Sequence, residues 1–145
     1  MSDRTAAAPA PAADAASNGA AAAPALSAAE GTIEAYVATW NETDAGRRQA
    51  GIARAWAPGA RYRDPLMASD GHDGIDAMLA AVQAKFPGFV LRRTSKVDCH
   101  NGSARFSWSL GPAAGPAVVE GVDFCALAPD GRLAEVVGFI DTAPG

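Results

Sequence analysis

Proton transfer could be carried out by three side chains of this sequence: Tyr36, Asp64 and Asp123. Asp64 precedes Pro65, and the residue before a proline is restricted to extended backbone, so its carboxyl is held on an extended segment. Asp123 lies in a predicted strand, on a face of small and apolar residues, where a carboxyl must be neutral, paired or hydrogen-bonded. Tyr36 shares a helix face with apolar residues, and a buried phenol needs a partner for its hydroxyl. A carboxyl in the same cavity would supply that partner.

Each carboxyl group also has a purely structural interpretation. Asp64 could pair with Arg61 or Arg63, and Asp123 could be satisfied by a neighbouring arginine or a backbone group. In the functional interpretation, Asp64 is an ionised general base at the mouth of a pocket, whereas desolvation raises the pKa of Asp123 and favours its neutral acid. Both carboxyl groups are then expected to face one cavity.

Three helices are predicted ahead of the late strands. Residues 27–30 have the form of a capping box, which predicts a helix start at Ser27. Asp44 can cap the second helix, and Pro58-Gly59 would stop it. The third helix would end at Pro87-Gly88. The apolar positions that carry the helical spacing are Ile33, Tyr36, Val37 and Trp40, then Ile52, Ala53 and Trp56, then Ile75, Met78, Leu79, Val82 and Phe86.

From Phe89 onward the apolar pattern alternates with period two. Four strands are predicted, over 89–98, 103–110, 117–127 and 133–140. Glycine-bearing turns separate them, which favours an antiparallel meander. The predicted fold class is therefore α+β, with three N-terminal helices packed on a curved antiparallel sheet. Such a sheet can curl into a cone whose inside is an apolar pocket.

Composition restricts the remaining possibilities. The chain has 145 residues and a net charge of −4, which argues against a nucleic-acid partner, and it contains no apolar run long enough to span a membrane. Residues 1–26 contain thirteen alanines and three prolines, so we expect a disordered, dispensable leader ahead of a single domain at 27–141 in a cytoplasmic protein. The polar turn at 70–73, together with Asp76, lacks calcium-loop spacing and is predicted to be a turn and a helix cap. Two cysteines are too few for a four-cysteine zinc site, so no metal or cofactor is expected.

Four segments in order resemble the nuclear transport factor 2-like superfamily, which includes the SnoaL-like polyketide cyclases and the ketosteroid isomerases. They are Trp56-Ala-Pro-Gly-Ala-Arg-Tyr-Arg-Asp64-Pro65, Gly74-Ile75, Gly121-Val-Asp123 and Asp130-Gly131-Arg132-Leu133. The resemblance covers residues 27–141. It implies a cone-shaped fold, usually dimeric, with a pocket inside the cone.

The resemblance also implies roles for individual residues. Ketosteroid isomerases have a tyrosine in the first helix, an aspartate before a proline and an aspartate on a late strand, and Tyr36, Asp64 and Asp123 match these positions. Asp64 would then be the base, with Tyr36 and a protonated Asp123 as the oxyanion hole. The SnoaL-like cyclases place an acid–base aspartate at the position of Asp123. The segment 41–54 is longer than in ketosteroid isomerase, and the Arg-x-Asp pair of the epoxide-hydrolase branch is absent from the sequence.

The leading hypothesis is a cofactor-free enzyme that moves a proton α to a carbonyl group of an apolar, cyclic ligand. The outcome would be isomerisation, cyclisation or dehydration, which share one enolate step. The alternative is a non-catalytic small-molecule-binding or dimerisation module. A homodimer is expected through an outer sheet face formed by Val118, Val122 and Phe124. The candidates for the pocket wall are Trp40, Trp56, Tyr62, Phe89, Trp108 and Phe139.

Overall fold

The computed structural model describes residues 25–144 of the chain. The predicted leader therefore lies outside the described residues, apart from its last two positions. The three helices are α1 (Leu26–Asn41), α2 (Ala45–Ala55) and α3 (Gly71–Lys85). None of these helices is long and apolar enough to cross a membrane.

The starts of the first two helices differ in how they are capped. The predicted capping box at Ser27 is wrong, because α1 begins at Leu26 with Ala25 in the N-cap position and no side-chain cap. The predicted cap of α2 is confirmed, since the Asp44 carboxylate accepts a hydrogen bond of 2.9 Å from the Arg47 backbone N–H. On α1 the predicted inner face is also confirmed, and it places Tyr36 and Trp40 toward the sheet side of the fold.

The end of α2 falls earlier than the helical spacing predicts. The helix stops at Ala55, and Trp56 is the first residue of a strand, β1 (Trp56–Arg63), where it pairs with Leu133. Trp56 is fully buried in this position, so its burial comes from the sheet and not from a helix stripe. Pro58 lacks a backbone N–H and could not have continued the helix, whereas it is tolerated near the start of a strand.

One seven-stranded sheet contains all the strands of the described residues. Its remaining strands are β2 (Ala68–Asp70), β3 (Phe89–Arg93), β4 (Asp98–His100), β5 (Ser103–Pro112), β6 (Val119–Leu127) and β7 (Leu133–Thr142). The strand order is β2-β1-β7-β6-β5-β3, and β4 pairs with the other end of β5. The strand predicted over 89–98 is thus divided into β3 and β4.

The α+β fold class with three helices on a curved sheet is confirmed, with one change in strand direction. The strands β5, β6 and β7 form the predicted antiparallel meander, but β1 lies parallel to β7, so the sheet is mixed. Irregular register interrupts the β1–β7 and β6–β7 pairings. Such irregularities bend and twist a sheet locally, and they accompany the curl that leaves a hollow under the helices.

Two aromatic side chains stand on the outer face of the sheet. Phe124 and Phe139 are 46% and 50% exposed, and their rings meet edge to face at 5.9 Å. Val122 lies on the same face, because it pairs directly with Phe139. Val118, which was predicted to share this face, precedes β6 and instead lines the inner cavity. The outer apolar patch therefore consists of Val122, Phe124 and Phe139.

Candidate functional site

A cavity of about 500 Å³ opens between the helices and the concave side of the sheet. Its walls are mostly apolar, and its polar groups come from a few residues of α1, β1, α3, β5 and β6 and from Asp64, which follows β1. This combination of an apolar wall with few polar groups is typical of a small-molecule site. The residues that line it include Tyr36, Trp40, Tyr62, Asp64, Leu66, Met67, Trp108 and Asp123.

Asp123 carries the most deeply buried carboxyl group of the cavity, with only 2% of its surface exposed. The Tyr36 hydroxyl donates a hydrogen bond of 2.6 Å to its Oδ2 atom. The Trp108 indole N–H donates a bond of 2.9 Å to its Oδ1 atom. The register explains the second bond, because Trp108 lies opposite Gly121 and therefore diagonal to Asp123 on the same face.

The burial of Asp123 changes its proton affinity. Loss of solvation raises its pKa from 3.8 to about 6, and the nearby charge of Asp64 acts in the same direction. The hydrogen bonds from Tyr36 and Trp108 oppose this shift, because they stabilise the charged form. Burial and the charge of Asp123 also raise the pKa of Tyr36 well above its ordinary value, so the phenol keeps its proton and acts as a donor.

Asp64 directly follows the last residue of β1, where the chain turns at Pro65. Its Oδ2 atom accepts a hydrogen bond of 2.6 Å from the Tyr62 hydroxyl. Its Oδ1 atom accepts two bonds of 2.8 Å from the backbone N–H groups of Leu66 and Met67. Burial is the largest of several causes that raise the pKa of Tyr62, so this phenol also remains a donor.

Neither neighbouring arginine neutralises Asp64. Arg61 pairs with Asp70 at 3.6 Å, and Arg63 pairs with Glu135. The structural interpretation, in which an adjacent arginine locks this carboxyl group, is therefore not what the structure shows. Asp64 faces the cavity together with Asp123, as the functional interpretation expects.

Gly138 lies next to both Asp64 and Asp123. It pairs with Asp123 across β6 and β7. A Cβ atom at this position would lie 2.9 Å from the Asp123 Oδ1 atom, 3.3 Å from the Asp64 Cβ atom and 3.6 Å from the Tyr62 hydroxyl. Any larger residue would force these groups apart, so the absence of a side chain creates the space that they share.

The structure places three of the six predicted wall residues at the cavity. Trp40, Tyr62 and Trp108 line the cavity. The other three predicted wall residues do not line the cavity. Trp56 is fully enclosed in the core, and Phe89 stacks on Phe86 at 5.2 Å. Phe139 lies on the outer face of the sheet, because strand residues alternate between faces.

Several polar contacts of the site were not anticipated from the sequence. Tyr62 and Trp108 were expected only as wall residues, yet each donates a hydrogen bond to a carboxyl group. Period two already places Tyr62 and Asp64 on one face of an extended segment, so that contact had a signal in the sequence. The contacts of Trp108 and Gly138 had none, because they depend on strand register.

The predicted polar turn is wrong, because α3 already begins at Gly71, with Asp70 in the N-cap position and no side-chain cap. Asp76 pairs with the buried Arg48 at 2.6 Å, and the Nε2 atom of His72 is 2.8 Å from the Trp56 carbonyl oxygen. Within residues 25–144, no three histidine, cysteine or acidic side chains are placed to hold a metal ion. Cys99 and Cys125 are free thiols.

Comparison with solved structures identifies the fold of this chain. A protein with a cystatin-like fold from Methylobium petroleophilum is similar at a TM-score of 0.68 and 18% identity, over 86% of this chain and 82% of that chain. A candidate polyketide cyclase from Sinorhizobium meliloti is similar at a TM-score of 0.60 and 15% identity, over 74% of this chain and 93% of that chain. The three helices and curled mixed sheet are thus the cone fold of the cystatin and nuclear transport factor 2-like proteins.

A more similar structure identifies the family within this fold. A candidate isomerase of the SnoaL-like family from Agrobacterium tumefaciens is 40% identical, with a TM-score of 0.75, over 79% of this chain and 98% of that chain. The SnoaL-like domain family matches residues 33–136. Comparison with curated proteins gives no match. The chain belongs to the SnoaL-like family of the nuclear transport factor 2-like superfamily.

Proposed function

We propose that this protein catalyses cofactor-free proton transfer at the carbon α to a carbonyl group of an apolar, cyclic compound. The observation that carries this proposal is the placement of Asp64 and Asp123 in one apolar cavity, on either side of Gly138. Paired carboxyl groups in different environments can divide the roles of acid and base between them. The 40% identical candidate isomerase is consistent with the same class of reaction.

The two carboxyl groups differ in the way that this division requires. Asp64 is half-buried and accepts three hydrogen bonds, from the Tyr62 hydroxyl and from the backbone N–H groups of Leu66 and Met67. Asp123 has a pKa of about 6, so its protonated form is available near neutral pH. We therefore assign the base to Asp64 and the acid to Asp123, with Tyr36 holding the acid in place.

The proposed step conserves atoms and electrons without a co-reactant. An oxygen of Asp64 takes the proton from the α carbon, and the electron pair of that C–H bond moves to form the enolate. Protonated Asp123 stabilises the enolate oxygen by a hydrogen bond or transfers its proton to it. Return of the proton from Asp64 to a different carbon completes an isomerisation. Attack of the enolate carbon on a second carbonyl instead closes a ring, and the alkoxide that forms takes the proton from Asp64.

Exchange of the α proton tests the shared enolate step without knowledge of the natural substrate. In D₂O, we expect the protein to incorporate deuterium at the α carbon of 2-decalone, followed by NMR. Asp64→Asn should abolish the exchange while leaving ligand binding nearly intact. Asp123→Asn, which keeps a donor, should lose less than Asp123→Leu. Asp70→Asn, at an exposed carboxylate, is the matched control and should exchange at the wild-type rate.

Binding of 2-decalone without exchange would contradict the proposal. It would instead favour a non-catalytic small-molecule-binding module with the same cavity. Full exchange in Asp64→Asn would separately remove Asp64 from the role of base.

A further inference from the structure

Most side-chain donors of the cavity wall are either engaged within the protein or closed off from the cavity. The hydroxyls of Tyr36 and Tyr62 and the indole N–H of Trp108 donate to the two carboxyl groups of the site. The indole nitrogen of Trp40 is itself buried and does not open onto the cavity. Among the described residues of the wall, this leaves the ammonium group of Lys85 as the side-chain donor that a ligand can reach.

Lys85 lies in the last turn of α3, at the rim of the cavity. Val82, Lys85 and Phe86 follow the spacing i, i+3 and i+4, which places them on one side of this helix end, and all three line the cavity. The Lys85 side chain is exposed, and its Nζ atom lies 5.5 Å from the centre of the Phe86 ring, within the range of a cation–π contact. A positive charge therefore stands at an otherwise apolar part of the rim.

This charge has no acidic partner within residues 25–144. The ion pairs in that part of the chain all use arginine side chains. The other charged groups of the cavity wall are Asp64 and Asp123, and both accept hydrogen bonds from other residues of the site. The cavity is thus polarised, with two carboxyl groups on its strand side and one ammonium group on its α3 side.

We propose that the ligand carries a carboxylate group, which Lys85 binds at the rim while the apolar body of the ligand enters the cavity. A carboxylate is disfavoured beside Asp64 and Asp123, because like charges in a poorly solvated site repel each other. A single ammonium group, which is a compact point charge, matches one negative charge. The ligand is thereby oriented with its other end toward the two carboxyl groups. The carbonyl group at that end rests on the proposed function, whereas the anionic group follows from Lys85.

Lys96 provides a matched control within the same protein. It is also exposed, and it also has no acidic partner within residues 25–144. It lines a separate cleft with Ser95 and Arg105, and it does not line the central cavity. Replacing either lysine changes the net charge of the chain by the same amount, so only a local effect at the cavity can distinguish the two variants.

The experiment measures the affinities of two ligands of similar shape by calorimetry. 2-Decalone-6-carboxylate has a ketone at one end and a carboxylate at the other, and 2-decalone-6-carboxamide replaces the carboxylate with a neutral group of similar size. The buffer contains about 0.1 M salt, so that charges more than about 10 Å apart are largely screened. We expect the wild type to bind the carboxylate more tightly than the carboxamide.

The lysine variants assign this preference to one residue. The affinity ratio of carboxylate to carboxamide should fall about three-fold in Lys85→Gln, the effect of one exposed ion pair, and about ten-fold in Lys85→Glu, where attraction becomes repulsion. In Lys96→Gln and Lys96→Glu the ratio should equal that of the wild type. Both lysines are exposed, so we expect all four variants to fold and to bind 2-decalone, which lacks a carboxylate, with the wild-type affinity.

A wild type without preference for the carboxylate would overturn the proposal, as would an equal fall of the ratio in the Lys85 and Lys96 variants. Preferential binding of the carboxylate without α-proton exchange would refute the proposed reaction and leave the Lys85 assignment standing. Exchange of 2-decalone together with an unchanged ratio in both Lys85 variants would do the reverse.

Discussion

The ionisation of Asp123 can be tested through the stability of the protein, without any ligand. Asp123→Asn removes the ionisable group and keeps a similar shape. Any change in unfolding free energy that comes from altered packing or hydrogen bonding in this variant does not depend on pH. The quantity of interest is the difference in unfolding free energy between the wild type and this variant as the pH changes. Contributions from most other titratable groups cancel in that difference.

The sign and size of the effect follow from the environment of Asp123. Burial raises its pKa from 3.8 to about 6, so the folded state binds the proton more tightly than the unfolded chain does. The resulting stabilisation is complete below pH 3.8 and is lost as the pH rises through about 6. A pKa difference of this size corresponds to about 3 kcal/mol of unfolding free energy in total. About 2 kcal/mol of this stabilisation is lost between about pH 4 and about pH 7.5.

Urea denaturation at a series of pH values measures this difference. We expect the wild type to lose about 2 kcal/mol relative to Asp123→Asn over that interval. Asp70→Asn, at an exposed carboxylate, should show no comparable trend. A difference that stays constant with pH would show that burial does not perturb Asp123. A wild type that gains stability with rising pH would show that its two hydrogen bonds outweigh desolvation.

Three further substitutions test other parts of the structure. Tyr36→Phe removes a hydrogen bond that favours charged Asp123. Carbon-13 NMR titration should therefore show a further rise in the pKa of that carboxyl group, and an unchanged pKa would refute the contact. Gly138→Ala places a Cβ atom 2.9 Å from Asp123 Oδ1 and should cost about 1–3 kcal/mol in urea denaturation. Gly59→Ala, with open space around it, is the control, and equal costs would contradict the crowding. Phe124→Arg should convert the predicted homodimer to a 14.7 kDa monomer by light scattering, whereas a monomeric wild type would contradict the interface.

Local patterns were sufficient to predict much of the architecture. The apolar spacing of α1 and α3 and the alternation in the late strands depend only on neighbouring residues, and they led to the correct fold class. The same patterns placed Tyr36 and Asp123 on inner faces. Short-range rules were less reliable at boundaries, since Trp56 continues the helical spacing of α2 but belongs to β1, where sheet pairing determines its place.

The contacts of the candidate site were decided only by the tertiary structure. Trp108 reaches Asp123, and Gly138 leaves room for both carboxyl groups, because of the register between β5, β6 and β7. Register depends on how distant strands meet, and a shift of one residue would turn every side chain to the other face. The sequence by itself therefore determined which residues could take part in proton transfer. The assembled fold decided that Asp64 and Asp123 share one cavity.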